Sequence, residues 1–448
     1  MSSLTDLLQA QTGTPAPFTA GNTTQPGDTA PAVNQYMARR DLLVEAHRDW
    51  KNRVDAVTKI ANGLWAQVWP DLTREPAAPS VANIIEMGLF HMGAIGGAVV
   101  PTIRVPLPHG HGGAEARKAA AKRERRLREL REASNYSALL AQLWQDYAGA
   151  GACAIAVWAN FDEPDPAKRN PYYLRLDPRH YYPVKDERGN VVECLVARTR
   201  SLAHLAAEYP QLDRRRFRES TDQVEEWFWF TKDEFIHMIV DLPRHTPDTR
   251  RYQIIARSPN NMSRVPVVEI VRPSFDGERR GQFDQVIHIL RTMHHLMTLT
   301  IERTEEEVYP AIAGYEVEGL EKFGPGAVME YRLPDSRLEV MAPRMMFDVK
   351  DLLARLEEQA RAAARYPRQL TGDPGASIAS GRAIQAVMGA LDAALAVAHR
   401  QFEWGLARAD SLALEVDETY CYGEKTIYGD SRDRKKPEKY DPRKDVAG

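Results

Sequence analysis

The chain has 448 residues, 43% of them hydrophobic, and its 59 basic and 62 acidic side chains give a formal charge of −3. That is enough apolar material for two or three packed domains, and too little positive charge for bulk adhesion to nucleic acid, so any such contact must come from local patches or enclosure. Cys153, Cys194 and Cys421 are widely spaced and form no C-x-x-C pair, which signals neither a disulfide framework nor structural zinc and fits a reducing compartment. With no secretory pattern and no apolar run of about 18 residues, the expectation is a chain that is neither secreted nor membrane-spanning.

Residues 1–35 read as a disordered arm, because Thr, Pro, Ala and Gly dominate from Gln11 to Asn34 and cannot repay the entropy of ordering a backbone. Leu42, Leu43, Ala46, Trp50, Val54, Val57, Ile60 and Leu64 recur at three- and four-residue steps and predict one helix from Tyr36 to Trp69. The apolar segment from Ser80 to Val100 carries Gly88, Gly93, Gly96 and Gly97, too many to predict a helix. After a proline-rich loop, mixed charges from Glu115 to Glu132 read as an exposed helix leading into a packed one through Leu139, Leu143, Trp144 and Tyr147. Short β-rich runs follow at 152–158, 172–176 and 191–197, with a turn from Asp186 to Asn190. Those at 225–230, 235–240, 251–255 and 265–271 are expected to continue the same sheet.

From Phe283 to Glu307 a stripe of Val286, Leu290, Met293, Met297 and Ile301 predicts a helical rod roughly 37 Å long. Tyr309-Pro310 stops it. Glycines and prolines around short apolar runs mark 311–343 as a small β-containing insertion, and a return helix runs from Val349 to Tyr366. A glycine-serine loop and a third helix from Arg382 to Leu414 follow, then a charged, loose tail after Tyr422.

Enzyme signatures are missing, so the chain reads as a non-enzyme without cofactor or metal. No G-x-x-x-x-G-K-[ST] cradles phosphates, and the glycines from Gly372 to Gly381 come without the lysine. His288, His294 and His295 share a helix, but the last two point about 100° apart and read as helix-face histidines. Ser377 lacks the second glycine of a nucleophile elbow. Trp227-Phe-Trp-Phe230 is either a base-stacking platform or, with more weight, the core of a half-buried strand. The basic helix from Arg117 to Arg131 touches phosphate or, given its interleaved glutamates, faces solvent or another subunit. What remains is architecture: two rods bracketing an insertion, with an apolar stripe that neighbouring copies closed into a ring would cover.

At this point the chain resembles the portal proteins of tailed bacteriophages, in the actinophage branch of that superfamily. The resemblance rests on Asn260-Asn-Met-Ser-Arg-Val-Pro-Val-Val-Glu-Ile270, on Gly281-Gln-Phe-Asp-Gln-Val-Ile-His-Ile289 opening a stem helix, and on Tyr309-Pro-Ala-Ile at that helix's end. Ser380-Gly-Arg-Ala-Ile384 and Leu176-Asp-Pro-Arg-His-Tyr-Tyr182 with the following hairpin extend it, so that it covers about residues 36–417. It implies an α+β, mainly helical portal fold: wing 36–275, stem helix 276–308, small α/β clip 309–346, return stem helix 347–370, tunnel loop 371–381, long wing or crown helix 382–417 and charged tail 418–448, with a reduced crown.

The implied assembly is a dodecamer at one capsid vertex of the virion, put together in the bacterial cytoplasm. It would pass double-stranded DNA without reading sequence and dock the terminase large subunit and then a head–tail adaptor, with the major capsid protein and scaffold as further partners. The tunnel loop implied to meet DNA comprises Gly372, Asp373, Pro374, Gly375, Ser377, Ser380, Gly381 and Arg382, and the clip contacts are Tyr315, Glu318, Lys322, Arg332 and Arg337. Because phosphate grips multiplied around a ring would stall a sliding duplex, carboxylates suit the lumen. Glu302, Glu305, Glu306 and Glu307 at the stem helix end face the channel, form a solvated helix end, or pair with Arg355, Arg361 or Arg365 of a neighbouring return helix. Two other classes stay open: another oligomeric head–tail adaptor or capsid-associated protein, and a terminase-like packaging enzyme, which the missing nucleotide motifs disfavour.

Overall fold

The computed structural model describes residues 30–72, 83–107, 113–161, 163–217, 222–241, 251–262, 264–308, 311–315, 317–318, 330–331, 337–341, 349–366, 381–428 and 437–445. In chain order the elements are α1 (Ala30–Ala46), α2 (Arg48–Ala61), α3 (Ile84–Ala98), α4 (Ala114–Ala133), α5 (Tyr136–Ala150), β1 (Ala152–Ala159), β2 (Pro171–Leu176), β3 (Tyr181–Lys185), β4 (Val191–Ser201) and α6 (Leu202–Glu208). There follow β5 (Gln223–Phe230), β6 (Glu234–Asp241), β7 (Arg251–Pro259), β8 (Val267–Val271), α7 (Val286–Val308), β9 (Ala311–Tyr315), β10 (Val317–Glu318), β11 (Glu330–Tyr331) and β12 (Arg337–Met341). Last come α8 (Val349–Ala363), α9 (Gly381–Tyr420), β13 (Lys425–Ile427) and β14 (Glu438–Tyr440). The chain is mixed α and β, and its described residues fall into two compact units, one within 1–55, 89–282 and 389–448, the other within 56–88 and 283–388. Residues 56–88, expected in the wing, thus belong with the helix pair of the second unit.

The first unit is layered. A five-stranded antiparallel sheet, ordered β3-β4-β5-β6-β7, and a three-stranded one, ordered β2-β1-β8, replace the single sheet expected from sequence. The aromatic strand β5 shows why two layers form: its period of two sends Phe228 and Phe230 into a core with Ala154, Ala156 and Trp158 of β1. Trp227 and Trp229 go to the opposite core with Met37 and Leu43 of α1. All eight residues of β1 are buried, because its other face is covered by α5. These tryptophans are therefore core, as their strand spacing suggested, and not a stacking platform.

Three expectations about this unit need correction. The predicted single helix from Tyr36 to Trp69 is broken at His47 and again at 62–64, into α1, α2 and a single turn Trp65–Val68, and it begins at Ala30, inside the stretch read as a disordered arm. The segment judged too glycine-rich for a helix is α3, because its glycines are contact points: a Cβ on Gly96 would lie 2.0 Å from Trp144 Cγ, and one on Gly97 2.8 Å from Ala141 Cβ. The tail read as loose forms the β13–β14 hairpin, with Tyr440 fully buried and Lys425 Nζ donating to Asp417 at 2.9 Å.

In the second unit α7 packs against α8, and Phe283, Val286, Leu290 and Met293 are buried. Gly88 seats the Phe283 ring, where a Cβ would come within 2.4 Å of Cζ. Between the two helices β9 pairs with β12 and β10 with β11, both antiparallel, so the described part of the insertion is β. Where the chain was read as carrying a rod, a β insertion and a return helix, those elements occur in that order.

Candidate functional site

The candidate residues concentrate in the second unit, on α7, the paired strands and the start of α9. α7 has 23 residues, about 35 Å at 1.5 Å per residue. Its stripe changes character along its length. The first turns are buried, with Leu290 wholly covered, whereas Leu299 is 43% and Ile301 37% exposed, and Leu352 of α8 is 46% exposed. The hydroxyls of Thr292, Thr298, Thr300 and Thr304 donate to the carbonyl four residues earlier, at 2.7–3.1 Å. These threonines therefore satisfy themselves within the helix.

Glu302, Glu305, Glu306 and Glu307 lie in the last two turns of α7, and no basic residue stands in the last turn to offset them. A helix C-terminus carries partial negative charge, so each carboxylate there costs about 0.3–1 kcal/mol at an exposed site. Glu302 is half-buried, and at the other three only the backbone is described. Of the cations offered as partners, Arg361 is already engaged by Glu357 one turn away on α8, at 2.9 Å.

The register of the insertion brings two of the clip residues together: Tyr315 of β9 and Arg337 of β12 are partners on one rung. Glu318 of β10 stands opposite Glu330 of β11. Lys322 and Arg332 lie outside the described residues, as do Gly372, Asp373, Pro374, Gly375, Ser377 and Ser380 of the tunnel loop, while Gly381 and Arg382 open α9. The histidines of α7 do not converge. His294 is buried and stacks on Trp65 with ring centroids 5.6 Å apart, and His288 and His295 are exposed. Among the described residues no group of three or more His, Cys, Asp or Glu side chains is placed to hold a metal ion.

Sequence reading missed the buried charge of the first unit. The helix read as exposed, α4, buries Arg126 against Asp417 at 3.0 Å and Arg131 against Asp410 at 2.5 Å. Glu226, with no exposed surface, accepts from Tyr209 Oη at 3.0 Å and Arg198 Nε at 3.0 Å, and lies 3.1 Å from His237 Nε2. Burial alone would raise its pKa, but His237, Arg198 and Arg200 hold it down at about 2. Glu269 is likewise kept low, against its burial, by Arg279 and Lys185. Each cluster joins a strand or helix to a distant one and pairs each of these buried carboxylates with a cation inside the protein, which is the pattern of structural pairing. Lone charged letters in the sequence carry no signal of such pairing.

No protein-family model matches the chain, and no curated protein matches it. No helix among the described residues is long and apolar enough to cross a membrane.

Proposed function

We propose that this chain is a portal protein: a subunit of a dodecameric ring that conducts double-stranded DNA into and out of a phage capsid and docks the packaging terminase and the head–tail adaptor. The observation that carries the reading is the succession within one compact unit of α7, two pairs of short strands and α8, with the two helices packed together. In this reading the helices are the stem and the strands the clip. The exposed Leu299, Ile301 and Leu352 support it, because apolar side chains left bare on a packed helix pair suit cover by a neighbouring copy.

The function follows from enclosure and needs no catalysis. A conduit must hold DNA by surrounding it, since contacts that neutralise many phosphates at once bind tightly and resist sliding. Carboxylates crowded at the end of α7 oppose their own helix dipole, a local cost that makes sense where a channel wall must repel phosphate. Electron microscopy of the purified protein tests the reading directly. Rings with twelvefold symmetry and an open axis are expected; a protein that stays monomeric at all concentrations overturns it.

A further inference from the structure

The first unit holds a cavity of about 480 Å³ that the conduit does not use. Four separate stretches of chain build it: the turn from Asp186 to Asn190 between β3 and β4, Lys232 in the turn between β5 and β6, residues 264–269 leading into β8, and α9 at Arg408, Ser411 and Leu412. Its buried lining is aliphatic apart from Glu269, with Val191, Val265, Val267, Val268 and Leu412 forming the wall. Lys232, Arg264 and Ser411 are exposed and Arg408 is partly exposed, so they make the rim. Apolar walls with a few polar groups, in a volume of about 300–1,000 Å³, are the usual form of a small-molecule site.

The charged groups around this cavity differ in what already occupies them. Asp186 accepts from Arg188 N, Asn190 N and Asn190 Nδ2 at 2.8–2.9 Å, which closes its own turn. Glu269 accepts from Tyr181 Oη at 3.1 Å and Arg279 Nε at 2.8 Å, and lies 2.5 Å from Lys185 Nζ. Arg264 is held by Glu415 of α9. Lys232 and Arg408 differ from these: among the described residues no carboxylate engages either, and Arg408 lies over the Trp404 ring, 4.4 Å from its centroid. Stacking occupies the face of a guanidinium and leaves its N–H edge to an acceptor. Two such cations above an aliphatic wall favour one ligand with two ends, an anionic head and a chain that needs no hydrogen bonds. We propose that this cavity binds a small amphipathic anion, a carboxylate or phosphate monoester on a short aliphatic chain, with Lys232 and Arg408 meeting the head while the valines and Leu412 cover the chain. An inorganic ion would leave the wall wet, and a neutral alcohol would leave both cations unmet.

Titration calorimetry on the full chain tests this with octanoate and octyl phosphate as probes and with octanol and inorganic phosphate as controls. At least one of the two probes should bind at a single site, about tenfold or more tighter than either control, and Lys232→Met and Arg408→Met should each weaken it by about tenfold while keeping an apolar stem. Arg215→Met removes an exposed cation outside the lining and should bind as the wild type does. If Arg408→Met fails to fold for want of its stack on Trp404, Lys232→Met decides alone. Absence of binding by both probes, octanol binding as tightly as octanoate, phosphate binding as tightly as octyl phosphate, or unchanged affinity in Lys232→Met each overturns the site. None of these results bears on ring closure, so the conduit stands or falls by its own test.

Discussion

Glu226 shows how one carboxylate ties several elements together. It sits on β5 with Arg198 and Arg200 of β4 on one side, His237 of β6 on the other and Tyr209 beyond α6. Removing it in Glu226→Ala leaves those groups facing a void, and an expected loss of about 3–5 kcal/mol should appear in urea unfolding. Its pH dependence has a definite sign. With its pKa held near 2 in the fold and near 4.5 when unfolded, its stabilisation is complete above pH 4.5 and fades as the pH falls toward 2. Glu226→Gln should therefore flatten the acid limb of stability, a contribution of about 3 kcal/mol. Asp146 acts in the opposite sense, because burial raises its pKa to about 6 despite Arg175, so its contribution is lost as the pH rises from 3.8 toward 6. None of these partnerships is legible in sequence, where Glu226 and His237 are two polar letters in separate β-rich runs. The fate of Trp227 to Phe230 was legible, because alternation along a strand fixes which neighbours share a face.

At the scale of elements, periodicity located α7, α8 and most strands, while helix ends and packing partners depended on information held elsewhere in the chain. The glycines of α3 are the plainest case: they weaken an isolated helix, yet each permits a close approach that no local pattern records. Gly96→Ala should lower stability by about 1–3 kcal/mol or more, since its new methyl meets the Trp144 ring, whereas Gly113→Ala, with open space around it, should not. The tail misled for a related reason. Its charges suggested solvent, but Arg125, Lys122 and Arg123 of α4 contact Glu438 and Asp445 and draw it down. Ending the chain at Tyr422 should lower the melting temperature by stripping Lys425 from the buried Asp417. For α7, replacing Glu305, Glu306 and Glu307 by lysine should relieve the helix-end repulsion and leave thermal stability equal or higher. Packaged DNA should nonetheless fall, and full packaging by intact variant rings would remove these side chains from the channel wall.

For the whole molecule, the unequal division of side-chain types between the two units has a practical outcome. Cys153, Cys194 and Cys421 are all buried, all belong to the first unit, and burial pushes each thiol upward, Cys421 to about 12. The second unit has no cysteine at all, so a pulse of iodoacetamide is blind to it. Alkylation under native conditions thus times the opening of one half of the protein against an unlabelled background from the other, with no engineered probe.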